Sequence, residues 1–251
     1  MHISKPSIAF RNMFILFIFA VSSLIMEDNV LAQPEIRKIH QTPMTSASVF
    51  PKNTKIRIEN SQGTITFLRA KNLSKNLENH PKFHALQVAG DPAQIALEFI
   101  RAYKNQFSLL DPDNELIISS VNRDELGYKQ IQFRQVYLKI PIWGAEIMLQ
   151  LDAENHVNLM TGHYFKTPVG INTQPNLSQE QVFDIVANHF GIDQACKSCK
   201  LQTVIYTPQR KDPRLGFQVS VNISLVEGWE VIVDANTGSI LNKISTVYSG
   251  T

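Results

Sequence analysis

Hydrophobic and polar residues alternate along much of the chain between residues 55 and 245, a two-residue period typical of β-strands with one buried face. Residues 55–59 and 64–68 alternate on either side of the turn residues 60–63, which predicts a hairpin. The other alternating segments predict strands at residues 116–121, 128–137, 147–152, 156–164, 201–207, 217–225, 229–234 and 239–245. The chain is therefore predicted to be rich in antiparallel sheet.

Two departures from strict alternation predict interruptions of the strands. Val136 breaks the phase set by Ile131 and Phe133, which indicates a bulge or a strand end. Residues 140–146, IPIWGAE, contain a proline and a glycine, and they are predicted to turn the chain into the strand at residues 147–152.

Two segments have the spacing of helices instead. Asp91 supplies an N-cap acceptor and is followed by proline, and apolar residues then recur at spacings of three and four until about Ser108. The second helix is predicted to begin after Ser178, with Gln181 as its capping-box partner, and to end at Gly191. The apolar residues of the first helix are Ala96, Phe99, Ile100, Tyr103 and Phe107.

Each predicted helix is followed by an antiparallel meander, so the expected fold class is α+β, with two small domains that each pack one helix on a sheet. A connector that contains glycine and proline separates the two sets of elements and marks the domain boundary. The predicted divisions are a signal peptide at 1–32, a flexible leader at 33–50, a domain at 51–167, a linker at 168–176, a domain at 177–247 and a terminal segment at 248–251.

The first 32 residues have the features of a secretory signal peptide. Lys5 and Arg11 precede an apolar run at residues 13–26, which is shorter than the roughly 20 residues that a membrane-spanning helix needs. Cleavage is predicted between Ala32 and Gln33, and an uncleaved anchor is the alternative. The mature protein is expected to be secreted or periplasmic, with no membrane association after cleavage.

Composition and charge narrow the range of partners. Hydrophobic residues make up 43% of the chain and charged residues 18%, as in ordinary folded proteins. The formal net charge is only +2, so no strongly basic field attracts nucleic acid or anionic membranes. We therefore expect no nucleic-acid partner.

The cysteines form the short pattern Cys196-Lys197-Ser198-Cys199 in a polar segment. Export from the cytosol favours a local disulfide between Cys196 and Cys199, because thiols oxidise in extracytoplasmic compartments. A redox-active pair and a zinc site are the alternatives.

The sequence offers no pattern of a common hydrolase. A zinc peptidase of the His-Glu-x-x-His type needs two histidines four residues apart on a helix, with a glutamate after the first. His80 and His84 have this spacing, but Pro81 occupies the glutamate position and the segment is interpreted as a loop. Glu146 and Asp152 are predicted to be solvated at exposed strand positions. We expect no catalytic residues, no bound metal, no cofactor and no enzymatic activity of the chain on its own.

Two segments resemble parts of a known family. FRQVYLKIPIWGAEIMLQLD at residues 133–152 resembles the fungalysin/thermolysin propeptide motif. GWEVIVDANTGSIL at residues 228–241, with the helix LSQEQVFDIVANHF at residues 177–190 ahead of it, resembles the PepSY domain that follows this motif in the same pro-regions. The chain thus resembles the pro-region of a thermolysin-family secreted zinc metallopeptidase without its catalytic domain, and both domains are expected to be cystatin-like.

The resemblance assigns family-motif positions to individual residues. Lys139 and Gln150 depart from the pattern, which usually has glycine and histidine there, and both are interpreted as surface changes. Two of the motif residues, Trp229 and Gly238, are expected to build the core and a turn. The full set of motif positions is Gln135, Pro141, Trp143, Gly144, Trp229, Asp234 and Gly238.

The resemblance implies a propeptide that assists the folding of a thermolysin-like metallopeptidase and inhibits it, with that catalytic domain as its partner in cis or in trans. Candidate contacts are residues 140–146 and the sheet edge or tail after Trp229. Because residues 248–251 resemble the start of a catalytic domain, the first hypothesis is a truncated precursor. The alternatives are a stand-alone secreted inhibitor or folding assistant and an unrelated extracytoplasmic binding module.

Overall fold

Antiparallel strands account for most of the regular structure in the computed structural model, which describes residues 49–59, 61–192, 199–208, 212–224 and 226–246. The strands within these ranges are β1 (Lys55–Ile58), β2 (Ile65–Arg69), β3 (Leu116–Arg123), β4 (Lys129–Tyr137), β5 (Ile140–Leu151), β6 (Val157–His163), β7 (Lys200–Tyr206), β8 (Arg214–Ser224), β9 (Glu227–Asp234) and β10 (Ile240–Ser245). The predicted strand-rich chain is confirmed.

The helices lie before β3 and before β7. They are α1 (Pro81–Ala89), α2 (Pro92–Ala102), α3 (Lys104–Phe107), α4 (Pro112–Glu115) and α5 (Gln179–Phe190). Helices packed on antiparallel sheet confirm the α+β class, although the first part of the chain has more helices than the single one predicted.

The caps that the sequence predicted for α2 and α5 are present. The Asp91 side chain accepts hydrogen bonds from the backbone N–H groups of Ala93 and Gln94 at 3.0 and 3.2 Å. Ser178 and Gln181 form a reciprocal capping box, and Gly191 ends α5 with a left-handed φ of 66°. These polar contacts satisfy backbone N–H groups that have no partner within the helix itself.

The helices of the first part differ from the prediction in two respects. The helix expected to run to Ser108 is divided at Tyr103, whose φ of −110° separates α2 from α3. Helix α1 was not predicted, because Phe83 is its one buried residue and its apolar residues form no continuous face. Its start at Pro81 and the left-handed Gly90 at its end were the available signals.

Strand β5 takes part in two sets of strand pairs. The first follows the order β1-β2-β6-β5-β4-β3, and the second follows the order β5-β7-β8-β9-β10. All these pairs are antiparallel except β5 with β7, which is parallel and pairs Ile142 with Ile205. We call the elements up to β6 the first half, and α5 with β7 to β10 the second half.

The interruption predicted at Val136 is confirmed, because the β4–β5 register shifts between Arg134 and Val136. The turn predicted at residues 140–146 is wrong. The chain reverses at Leu138 and Lys139, which have φ values of 47° and 69°, and β5 already begins at Ile140. Pro141 and Ile142 belong to the strand because they pair with β4 and β7, partners that local sequence does not reveal.

The described residues form two main hydrophobic clusters, and the second also contains Ile142 and Ala145 of β5. The first half buries Phe83, Phe99, Phe107, Phe133 and Tyr164 between its helices and sheet. The second half buries Val182 and Val186 of α5 against strand residues that include Val219, Val231 and Val233. All described residues belong to one compact unit, and the domain boundary at residues 168–176 stays a prediction.

Candidate functional site

The motif residues of the first half lie where β5 changes neighbours. Strand β5 pairs with β7 at Ile142 and with β6 from Glu146 onward, where Glu146 lies opposite His163. Gly144 lies between these two pairings and has a φ of 70°, which glycine adopts without the strain that a Cβ atom adds. We call this branching of the sheet the fork.

A cavity of about 830 Å³ opens at the fork. Trp143 and Gly144 line it together with Tyr206 at the end of β7. A smaller cavity of about 230 Å³ shares Trp143 and Gly144 and is also lined by Pro141. The structure therefore brings three motif positions together around two cavities.

Trp143 connects β5 with the second half. Its ring meets Tyr206 edge to face, with 5.5 Å between the centroids. Around this pair lie Val204, Ile232 and Leu241, which form a small apolar cluster. Tyr206 was not predicted as a site residue, because it lies far from Trp143 in sequence and matches none of the motifs considered.

Gln135 has a structural role in the first half. Its side chain is fully buried, donates to the carbonyl oxygen of Phe165 at 2.7 Å and accepts from the Phe165 N–H at 2.9 Å. The pair fixes the chain after β6 against β4, thirty residues earlier in sequence. The Gln135 side chain therefore supplies hydrogen-bond partners for the backbone N–H and carbonyl groups of Phe165, which follows the end of β6.

Asp234 organises the turn between β9 and β10. Its Oδ1 accepts from the N–H groups of Asn236 and Thr237 at 2.9 and 3.0 Å, and Arg214 lies 3.4 Å from Oδ2. Burial opposes the charged carboxylate, but these hydrogen bonds outweigh it and lower the pKa of Asp234 below its usual value. The turn is therefore held by an ionised, buried acid.

Gly238 completes this turn and lies beneath α5. Its φ is 74°, and a Cβ atom built there lies 2.8 Å from Cδ1 of Ile185. The left-handed backbone favours glycine, and any larger residue would also have to displace the terminal methyl of Ile185. Its role in the turn agrees with the expectation drawn from sequence.

Trp229 packs on the second half without being fully buried. Its ring stacks on Phe190 with 5.9 Å between centroids, and Lys243 Nζ lies 4.9 Å from the Trp229 centroid. The indole N–H donates to Glu227 at 3.1 Å. These contacts connect the end of α5 with β9 and β10, and the partly buried ring packs against the second hydrophobic cluster without being one of its buried residues.

Other predicted positions are not brought into the fork. His80 occupies the N-cap position of α1 without a capping hydrogen bond from its side chain, and His84 lies within the helix, so the interpretation of this segment as a loop is wrong. Both side chains are exposed. Among the described residues, Asp152, Glu154 and His156 are the one group with ligand atoms close enough for a metal ion. Asp152 there accepts from the His156 backbone N–H at 2.8 Å, as in an ordinary turn.

Glu146 and Asp152 are partly buried, so their assignment to solvated positions is wrong. Glu146 accepts a hydrogen bond from the Gln132 side chain at 2.6 Å. Asp152 lies just beyond the end of β5 and contacts Nδ1 of His156 at 3.1 Å. Both carboxylates thus form hydrogen bonds with neighbouring side chains, Glu146 across the sheet and Asp152 within a turn.

Several predicted positions lie outside the described residues. Ala32 and Gln33 of the signal cleavage site and Cys196 are among them. Cys199 is described and is disulfide-bonded. No helix in the described part of the chain is both long and apolar enough to cross a membrane.

Residues 114–164, which include β3 to β6, match the family model described as the Fungalysin/Thermolysin Propeptide Motif. The chain carries a thermolysin-family propeptide motif. The matched residues include Gln135 of β4, which hydrogen-bonds to the backbone of Phe165. They also include three residues at the fork, Pro141, Trp143 and Gly144.

Full-length relatives extend the similarity beyond the motif. Bacillolysin of Bacillus amyloliquefaciens is 25% identical over 189 residues, which cover 70% of this chain and 36% of that protein. Thermolysin of Alicyclobacillus acidocaldarius subsp. acidocaldarius is 28% identical over 165 residues, 61% of this chain and 30% of the relative. The chain thus spans about a third of the length of these curated relatives. Together with the motif, they confirm the resemblance to thermolysin-family pro-regions.

A solved structure, the Bacillus megaterium YpeB C-terminal domain, aligns with 76% of this chain and 76% of its own. The sequence identity is 13% and the TM-score is 0.37. A TM-score this low does not establish a shared fold.

Proposed function

We propose that this chain is a propeptide that assists the folding of a thermolysin-like zinc metallopeptidase and inhibits it until the two are separated by processing. The propeptide motif at residues 114–164 is the observation that carries this function. The matches to bacillolysin and thermolysin support the same assignment. The peptidase acts as the partner in cis or in trans.

The physical basis is the slow formation of long-range contacts in a large partner. Such contacts require loop closure before they stabilise the chain, so a preformed complementary surface lowers the barrier to folding. The same surface then blocks substrate access while it remains bound. This role needs no catalytic side chain, metal or cofactor in the propeptide.

The outer edge of β10 is the proposed contact surface. Within the described residues, β10 pairs only with β9 and ends the strand order, so its other edge can pair with an extended segment. Ile244 on this strand is 44% exposed. Residues 140–146, the second surface considered from sequence, are paired on β5 and offer less free backbone.

The test uses purified residues 33–251 with thermolysin as the probe peptidase and hydrolysis of a peptide substrate as the readout. We expect inhibition at micromolar concentration and a higher yield when unfolded peptidase refolds in its presence. Ile244→Asp should weaken inhibition at least about tenfold, because it places a charge on the proposed interface. Leu126→Asp, at an exposed site in the β3–β4 turn, is the matched control and should leave inhibition unchanged.

No inhibition and no refolding effect with thermolysin or with a peptidase from the same source would overturn the proposed function. Equal inhibition by the Ile244→Asp and Leu126→Asp variants would instead reject the β10 edge as the contact surface. Circular dichroism of each variant confirms that it is folded.

We also propose that the chain acts outside the cytoplasm and that residues 51–167 and 177–247 are separate folding domains. The similarity to propeptides of secreted proteases supports the location. The first hydrophobic cluster, whose residues lie between Val49 and Tyr164, supports the division. Limited proteolysis should cleave first within residues 168–176, and early cleavage elsewhere would contradict the proposed boundary.

A further inference from the structure

The larger cavity at the fork has features that its position in the propeptide motif does not explain. Its volume of about 830 Å³ lies within the range of about 300–1,000 Å³ typical of ligand sites. It is lined by Trp143 and Gly144 of β5 and also by parts of both halves that are distant in sequence, including Glu59, His163, Tyr206 and Asn242. We call it the fork cavity.

Aromatic rings provide much of its wall. Trp143 and Tyr206 meet edge to face, and His163 meets Phe165 in the same way with 5.0 Å between the ring centroids. Aromatic rings carry negative potential on their faces and attract cations. Rings held by each other and by the sheet offer this surface without a large loss of side-chain entropy.

Glu59 places a negative charge at the same cavity. Ser61 donates a hydrogen bond to its Oε1 at 2.6 Å, whereas its Oε2 lies 3.6 Å from Nδ1 of His163. This second distance is too long for a hydrogen bond, so Oε2 is available to another donor. No lysine or arginine lines the cavity among the described residues.

We propose that the fork cavity binds a polypeptide segment through a lysine or arginine side chain. The cation lies between the aromatic rings and Oε2 of Glu59, and backbone groups of the segment hydrogen-bond to Asn242. Electrostatic complementarity selects the cation, because an aromatic wall with one carboxylate repels an acidic side chain and gains little from a neutral one. The volume admits residues on both sides of the cationic one.

One residue of this site, Asn242, belongs to β10, the strand whose outer edge is proposed for the peptidase, but the site does not rest on peptidase inhibition. Its test contains no peptidase, so a failure to inhibit thermolysin leaves the result unaffected. Conversely, a protein that inhibits thermolysin without binding basic peptides keeps the proposed function and loses this site.

The experiment exploits the small number of tryptophans. The chain has two, so Trp229→Phe leaves Trp143 as the single tryptophan, and its selectively excited fluorescence reports on the fork cavity. The probes are acetylated and amidated tripeptides, Ala-Arg-Ala, Ala-Lys-Ala, Ala-citrulline-Ala and Ala-Glu-Ala. Citrulline has the shape of arginine without its charge. Titration calorimetry of the unmodified chain provides a second measurement.

We expect saturable binding of the arginine and lysine peptides, with the citrulline and glutamate peptides at least about tenfold weaker. Glu59→Gln and Tyr206→Leu should each weaken binding of the arginine peptide about fivefold. Glu154→Gln removes the same charge from an exposed turn and should change nothing.

Three results overturn the proposal. They are no binding of the basic peptides by either method, equal affinity for the arginine and citrulline peptides, and equal loss in the Glu59→Gln and Glu154→Gln variants. Calorimetry of Glu59→Gln and Tyr206→Leu is interpreted together with their circular dichroism spectra. If Tyr206→Leu does not fold, Glu59→Gln still tests the site, because it removes the charge and preserves side-chain size.

Discussion

In the first half, the aromatic side chains of α1, α2 and α3 are fully buried against the sheet, whereas in the second half Phe190 and Trp229 remain partly exposed. The polar contacts also differ. In the first half, Gln135 hydrogen-bonds to the backbone of Phe165, thirty residues later in the sequence. In the second half, Asp234 accepts hydrogen bonds from residues of its own turn. In the first half, extensive packing of buried aromatic rings stabilises segments that are not regular helix or strand. In the second half, which has a single helix on its sheet, the structure depends more on turns held by local hydrogen bonds.

The largest effect should come from the aromatic core. Phe99→Ala removes a fully buried ring and should lower the free energy of unfolding by about 3–5 kcal/mol through lost transfer energy and the cavity left behind. Phe190→Ala in the second half should cost about 1–2 kcal/mol, because its ring is only partly buried. Urea denaturation followed by circular dichroism measures both.

Val88→Ala is the control for these two variants, since Val88 is 75% exposed on α1 and its loss should change stability by less than about 0.5 kcal/mol. Equal losses for Phe99→Ala and Phe190→Ala would contradict the difference between the two cores.

The second effect concerns the turn under α5. Gly238→Ala should destabilise by about 2–3 kcal/mol, because it adds left-handed strain and a contact with Ile185. Gly90→Ala is the matched control: its φ of 73° is nearly the same, but a Cβ atom there meets nothing within 4 Å. The difference between the unfolding temperatures of the two variants measures the cost of the contact with α5. Equal decreases in unfolding temperature would show that the left-handed backbone conformation alone causes the destabilisation.

The third effect concerns the polar clamp of the first half. Gln135→Leu keeps the volume of the side chain but leaves the N–H and carbonyl of Phe165 without their partner. Removing one side of a buried hydrogen-bonded pair costs about 1–3 kcal/mol. Gln150→Leu, on a partly exposed position of β5, is the control and should stay within about 0.5 kcal/mol. A stable Gln135→Leu variant would mean that packing alone holds the strand end.

The smallest effect depends on pH and tests the turn of the second half. The folded-state pKa of Asp234 is lowered, so its stabilisation is fully present above the unfolded-state pKa of about 3.9 and is lost as pH falls through the folded value. Asp234→Asn should therefore lose about 1–2 kcal/mol at pH 7 and progressively less below about pH 4. Urea titrations at pH 7, 5 and 3 measure the difference in the free energy of unfolding between the two proteins. A difference that stays constant with pH would exclude the charge of Asp234 as its cause.

The sequence by itself determined the features that depend on neighbours within a few residues. Ser178, Gln181 and Gly191 set the limits of α5, because a capping box and a left-handed glycine act within one turn of the chain. The interruption of β4 at Val136 was visible as a break in alternation. Asp234 and Gly238 were recognised as motif positions in the sequence, and their turn forms through local hydrogen bonds.

Only the tertiary structure decided how the motif residues are used. Residues 140–146 have the composition of a turn, yet they belong to β5, because β4 and β7 pair with this segment from outside it. Gln135 makes its hydrogen bonds because the fold places Phe165 beside it. Trp143 lines a cavity because the fold brings Tyr206 and Glu59 to the same place. These partners are far apart in sequence, and local propensity carries no information about contacts that form only when distant strands meet.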